Sequence, residues 1–330
     1  YEILRCLVGS EMCIRDSYWT PNPTKFPHGL KRIVEKGKKL GIRIGLWFNP
    51  SIQNDFADWQ KDAQVIIGLY KEYGICCFKI DGLQIPTKTA EQNLRRLFDA
   101  VLAQTNHEVI FNLDATAGRR GGYHYMNEYG NIFLENRYTD WGNYYPYRTL
   151  RNLWMLSRYV PAEKMQIEFL NKWRNADKYS TTDPFAPARY SFDYLFAITL
   201  AAQPLAWMEA SNLPEEAYAT ATLLKKYQPL QLQFHQGIIL PIGEEPSGRS
   251  WTGFQSIVSD TQGYLIIYRE DNDIAKRTID TWLPEGKKVT FTPLMGNGKK
   301  FVAEVGVQGK VSFELNDKNS FTLYQYQVKP

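Results

Sequence analysis

One unit repeats through most of this 330-residue chain: an apolar run of strand length, a turn, and then an amphipathic segment of helix length. Apolar runs stand at residues 42–50, 76–82, 109–114, 132–140, 165–170 and 204–208. The segments between and around them carry apolar residues at helical spacing, as in Leu30, Ile33, Val34 and Leu40, or Leu94, Leu97, Phe98, Val101 and Leu102. Strands alternating with helices about 30 residues apart define βα units. Six in succession predict a (β/α)8 TIM barrel of the α/β class rather than a small doubly wound sheet. Predicted helices cover residues 30–40, 55–73, a stretch capped by Thr87 or Thr89, a stretch through Leu150 to Leu156, 190–202 and 214–227. A closed barrel needs eight units, so two are expected upstream of Tyr18. On that reading the strand at Ile42 lacks a neighbour, which predicts self-association into a homo-oligomer.

Residues 1–17 have neither helical nor strand periodicity and no signal-peptide charge pattern, and are expected to be a non-native or disordered leader. The partial barrel is expected over 18–240. Beyond it the period changes to two, in short runs such as Phe254 to Val258, Tyr264 to Tyr268, Val289 to Phe291, Val311 to Leu315 and Phe321 to Tyr326. Gly, Asn and Asp turns separate them, which predicts an antiparallel β-sandwich over 241–330. This region carries no cluster of acids or histidines and is expected to be an appendage without chemistry.

The run Cys76-Cys77-Phe78-Lys79-Ile80-Asp81-Gly82 reads as a strand buried on both faces that ends on a charge. Barrel enzymes mount their reacting groups at the C-terminal ends of strands, and Lys79 lies two residues upstream on the same face. Asp81 is therefore either half of a reactive pair or the cap of the following turn. Asp140 ends a later strand in the same way. Paired carboxylates suit glycoside hydrolysis, one attacking the anomeric carbon while the other protonates the leaving oxygen.

Other chemistries find less support. Four histidines accompany neither a nucleophile elbow nor a second metal ligand at helical spacing, so no metal or cofactor is implied. The four cysteines have no metal or redox spacing, and Cys76 and Cys77, adjacent on a strand, should point to opposite faces. A net charge of +4, from 39 basic and 35 acidic residues spread evenly, gives no nucleic-acid footprint, and no stretch approaches a membrane span. Nine tryptophans and 21 tyrosines exceed what a core requires and suit flat ligand faces such as sugar rings.

Particular motifs carry a resemblance. Lys25-Phe26-Pro27-His28-Gly29-Leu30 with Gly41-Ile42-Arg43-Ile44-Gly45-Leu46-Trp47-Phe48-Asn49-Pro50 resembles a paired signature of family 36 glycoside hydrolases, the melibiase-type α-galactosidases. Phe78-Lys79-Ile80-Asp81 is similar to that family's nucleophile strand, and Thr139-Asp140 followed by Arg148 to its acid/base segment. Gly118-Arg119-Arg120-Gly121-Gly122 stands where the family has a glycine-rich loop with an arginine. Leu213-Pro214-Glu215-Glu216, Lys226-Tyr227 and His235-Gln236-Gly237 resemble its closing helix. Ile80 stands where the family has Trp or Tyr, and Asn112-Leu113-Asp114 replaces a cysteine-containing strand end.

The resemblance implies a retaining hydrolase of terminal α-galactosides, with Asp81 as nucleophile, Asp140 as acid/base and Lys79 on the sugar, acting on an oligosaccharide or α-galactoside. Arg120 joins the substrate-binding set through the loop motif. Trp47 is a sugar platform or barrel filler, and Asp114 a substrate ligand or loop cap. Trp141, Tyr144 and Tyr145 follow Asp140 and line a leaving-group subsite on this reading, while Glu135 and Arg137 alternate onto one face as an internal ion pair. The same carboxylates would serve an α-N-acetylgalactosaminidase, a raffinose-synthase-type transglycosylase or a noncatalytic sugar-binding member.

Overall fold

The computed structural model describes residues 5–6, 15–17, 19–114, 127–134, 139–169, 172–206 and 213–329. It divides into two compact units, residues 2–134 and the chain from 135 onward. In the first, β1 (Arg5–Cys6) pairs in parallel with β4, and β2 (Arg15–Ser17) forms a short antiparallel pair with β3 (Thr20–Pro21). Then α1 (Lys31–Lys39), β4 (Ile44–Phe48), α2 (Trp59–Tyr73), β5 (Cys77–Ile80), α3 (Lys88–Gln104), β6 (Ile110–Leu113) and β7 (Gly130–Phe133) follow in order. From β4 to β7 each strand is parallel to the one before.

Alternation along these strands separates core from site. Leu46, Phe48, Phe78, Ile80, Phe111 and Leu113 point to the helices and join Ile66, Ile67, Leu94, Leu97 and Phe98 in one buried cluster. The intervening positions carry Trp47, Lys79, Asn112 and Asn131, which the register places in one row across four strands. The helix ends follow local chemistry. Gly74 closes α2 in the left-handed conformation at φ 71°, its amide bonded to Tyr70 O, and the Thr87 hydroxyl accepts from Ala90 N at 3.0 Å to cap α3.

α2 begins four residues later than the expected start at Asp55. Asn54, Asp55 and Phe56 take φ values of 49°, 59° and 61°, a left-handed turn that no regular helix contains. Burial of the Phe56 ring at 1% exposure holds that turn in place.

The second unit carries α4 (Pro146–Leu156), β8 (Met165–Phe169), α5 (Phe192–Ala197), β9 (Gln203–Ala206) and α6 (Glu215–His235), with β8 and β9 parallel. α5 is shorter than its expected span, starting at a Ser191 cap, whereas α6 runs eight residues past Tyr227 and through Pro229. A proline removes one helical hydrogen bond, and burial of Tyr227 before it and Phe234 after it holds both halves in line. Strands β4 to β9 with their helices make up an incomplete (β/α)8 barrel.

The antiparallel region follows as a C-terminal β-sandwich. Its strands are β10 (Ile238–Gly243), β11 (Trp251–Ile257), β12 (Gln262–Arg269), β13 (Lys276–Asp280), β14 (Lys288–Gly296), β15 (Phe301–Glu304), β16 (Lys310–Glu314) and β17 (Ser320–Val328). Six form a sheet ordered β10-β11-β12-β17-β14-β15, and β13 pairs with β16 in a second sheet. Ile279, Val311 and Phe313 from the small sheet pack with Leu265, Ile267, Phe291 and Tyr324 from the large one.

Candidate active site at the end of strand β5

Four sequence-derived candidates, Trp47, Lys79, Asp81 and Asp114, converge within the first unit. Asp81 is the first residue beyond β5, and its amide bonds to Phe48 O at 2.9 Å; the amide of Asp114 bonds to Ile80 O in the same way at 2.9 Å. These backbone bonds continue the parallel ladder one residue past each strand and fix both carboxylates at its C-terminal edge. The Asp81 carboxylate accepts from the Trp47 indole N–H at 3.1 Å through Oδ2, and from the Gly82 amide at 2.7 Å through Oδ1. Gly82 has φ 68°, and a Cβ there would come within 2.4 Å of Asn49 Oδ1, so conformation and space both select glycine.

Lys79 Nζ lies 3.9 Å from Asp81 Oδ2 and 3.8 Å from Asp114 Oδ2, and 5.2 Å from the centre of the Phe133 ring. The side chains of Lys79 and Asp114 are almost wholly buried, at 4% and 3% exposure, whereas that of Asp81 keeps 27%. The most accessible member of the triad is thus the one at the strand end. Burial pushes the Asp81 carboxyl up, but Lys79, a hydrogen bond with Asp114, the Gly82 amide and the Trp47 indole together outweigh it and hold Asp81 below the usual carboxylate range. The result is a carboxylate kept ionised and half-desolvated, with one face open.

Trp47 is neither platform nor filler alone here, because its N–H orients the carboxylate. Asn49, to which the sequence motif gives no role, joins the site. Its buried Oδ1 has no hydrogen-bond partner among the described residues and adjoins Gly82, a placement that follows from counting two residues on from Trp47 along the same face.

In the second unit, Asp140 lies in a 3-10 turn, Thr139–Trp141, and its side chain lies outside the described residues. Arg120, the glycine-rich loop around it, Glu135 and Arg137 also lie outside them. Trp141 is 63% exposed. Tyr144 is fully buried, which corrects the expectation that it lines a subsite: its ring is core. Tyr145 is half-buried and donates to Asp183 Oδ2 at 3.0 Å, with the Arg148 guanidinium 4.7 Å from its ring centre.

The fold belongs to a recognisable class. No family model matches the sequence, and no curated protein does. Solved structures do match. The chain superposes on the GH36 α-galactosidase AgaA of Geobacillus stearothermophilus, solved in complex with raffinose, with a TM-score of 0.72 at 14% identity, over 99% of this chain and 51% of that one. An α-galactosidase from Lactobacillus brevis matches with a TM-score of 0.62 at 13% identity, over 94% of this chain and 48% of that one. An α-amylase from Geobacillus thermoleovorans, complexed with acarbose, matches with a TM-score of 0.62 at 10% identity, over 100% and 87%. The chain spans about half the length of these two α-galactosidases. The expected architecture, an incomplete barrel followed by a β-sandwich, is therefore a fold shared with solved α-galactosidases and with an α-amylase.

Proposed function

We propose that the chain carries the catalytic centre of a retaining glycoside hydrolase acting on terminal α-galactosides. The observation that supports this most is the state of Asp81. A nucleophilic carboxylate must be ionised, aimed and accessible at the C-terminal end of a barrel strand; the Trp47 and Gly82 N–H groups with Lys79 supply the first two conditions, and the 27% exposure of the Asp81 side chain supplies the third. On this reading Asp81 attacks the anomeric carbon to form a glycosyl ester, and Asp140 protonates the leaving oxygen and then deprotonates the incoming water. Retention calls for the two carboxyl groups to stand about 5 Å apart. Lys79, Asp114 and Arg120 bind sugar hydroxyls, and Trp141 lies along the leaving group. The α-galactosidases of the same fold, one of them solved with raffinose, favour galactose over other sugars.

Mechanism-based labelling tests the assignment. A fluorinated α-galactosyl fluoride, which forms the ester quickly and releases it slowly, should add one sugar to the peptide containing Asp81, and Asp81→Asn should abolish both labelling and turnover. Labelling of a different carboxylate would overturn the role of Asp81. Labelling by the gluco but not the galacto reagent would keep the mechanism and overturn the sugar.

A further inference from the structure

At the opposite end of β5 from Asp81 stand two thiols that the sequence reading places on opposite faces. The structure brings them together: Cys76 Sγ lies 3.9 Å from Cys77 Sγ. Cys76 precedes the first regular strand residue, so the strict alternation that would separate the pair does not yet apply. Cys77 is buried at 3% exposure, while Cys76 is half-buried and reachable. Around Cys76 stand Arg43, whose guanidinium hydrogen-bonds it, and Tyr70, which donates to Glu108 Oε2 at 2.7 Å. The Cys77 thiol, donating to Cys76, outweighs burial and with Arg43 brings the Cys76 thiol down to about 6. Thiolate character, access and a second thiol within reach are the three attributes of an exchange-competent cysteine.

We propose that Cys76 and Cys77 form a vicinal dithiol that undergoes thiol–disulfide exchange with small-molecule disulfides, Cys76 attacking and Cys77 resolving. In the first step the Cys76 thiolate attacks one sulfur of the reagent, forming a mixed disulfide and expelling one thiolate. Cys77 then gives up its proton and attacks Cys76 Sγ, closing the Cys76–Cys77 disulfide and expelling the second thiol. The two protein thiols lose two electrons in all, and the reagent disulfide gains them. Closure requires the sulfurs to approach from 3.9 Å to about 2.05 Å and encloses the intervening peptide in a small ring. An extended backbone does not accommodate that ring, and Cys76 O currently accepts from Ile110 N at 2.7 Å, so the oxidised form should loosen the start of the β5 and β6 pairing.

The test uses the full chain with Cys6 and Cys13 replaced by serine, titrated with an aromatic disulfide that releases a coloured thiolate. The expected result is two equivalents of thiolate released and a protein that carries no adduct and has lost two hydrogens, the new bond mapping to the Cys76–Cys77 peptide. Cys77→Ser should release one equivalent and retain the adduct, with a rate that follows the thiolate of Cys76. Cys76→Ser should react far more slowly, because the remaining thiol is buried. Two retained adducts, one equivalent from the parent chain, or equal rates for the two serine variants would each overturn the proposal. The melting temperature of the untreated variants, unchanged by serine, separates these outcomes from misfolding.

Discussion

Lys79 stands almost equidistant from two carboxylates, so its removal has two separable effects. Lys79→Met leaves Asp81 and Asp114 facing each other without the ammonium. Because Asp81 is partly open to water, the loss of stability should stay near the lower end for a broken buried pair, about 3 kcal/mol. The second effect concerns ionisation. Lys79 is the leading attraction that holds Asp81 below the usual range, so its loss should move the acidic limb of kcat/KM for an aryl galactoside toward higher pH. An unmoved limb would mean that Lys79 does not tune Asp81. Glu270, far along the chain, behaves in the opposite sense. Its Oε2 accepts from Ser247 N at 3.0 Å and Ser250 N at 2.8 Å, yet burial pushes it up to about 7. A carboxyl whose folded value is raised stabilises the fold fully below its unfolded value near 4.5, and that stability is lost as pH rises through about 7. The loss is of the order of 3 kcal/mol at 1.36 kcal/mol per unit. Urea midpoints measured from pH 5 to 8 should fall with pH in the parent chain and flatten in Glu270→Gln. A parallel fall in both would assign the slope to another group.

Secondary elements were legible wherever one period held over a long enough stretch and a cap marked its end. The sequence offered Thr87 and Thr89 as caps of α3, and the hydroxyl that bonds is that of Thr87. Thr87→Ala should therefore cost about 1 kcal/mol of stability, read from the denaturant midpoint, while Thr89→Ala should cost a few tenths. Equal costs would remove the cap from the account of this helix. Tertiary contacts override local rules elsewhere. The buried Phe56 ring stabilises a left-handed turn ahead of α2 that no periodicity signals, and packing carries α6 through Pro229. At the site, alternation along β5 was enough to put Lys79 and Asp81 on one face. The bond from Trp47 to Asp81 depends instead on the register of β4 against β5, which one strand's sequence does not encode. The same limit explains the cysteines, since where a strand's regular pleat begins is set by its neighbours.

On the scale of the whole molecule, the six-stranded sheet is covered on both faces, and this bears on whether the sandwich is an independent appendage. One face packs against β13 and β16 around Leu265, Ile267 and Phe291. The other carries Tyr264, Ile266 and Tyr268, all buried, and it meets α5 and α6: the Tyr268 hydroxyl donates to Ala197 O at 2.7 Å, and that of Tyr264 to Gln233 Oε1 at 2.7 Å. From α4, the Trp154 indole donates to Ile242 O at 3.1 Å. A sheet with one dry face toward each partner cannot be separated without exposing aromatic rings and leaving buried carbonyls unpaired, at about 1–3 kcal/mol for each orphaned group. Cutting the chain after Gly237 should therefore harm the two pieces unequally. The C-terminal piece retains the complete cluster between its two sheets and should fold, with an exposed aromatic face that drives it to associate. The N-terminal piece loses the cover over α5 and α6 and should be insoluble, and co-expression of the two should restore a soluble complex. Near-UV circular dichroism and sedimentation of the separate pieces check this. A soluble, monomeric N-terminal piece with its aromatic signal intact would show that the sandwich contributes nothing to the barrel it follows.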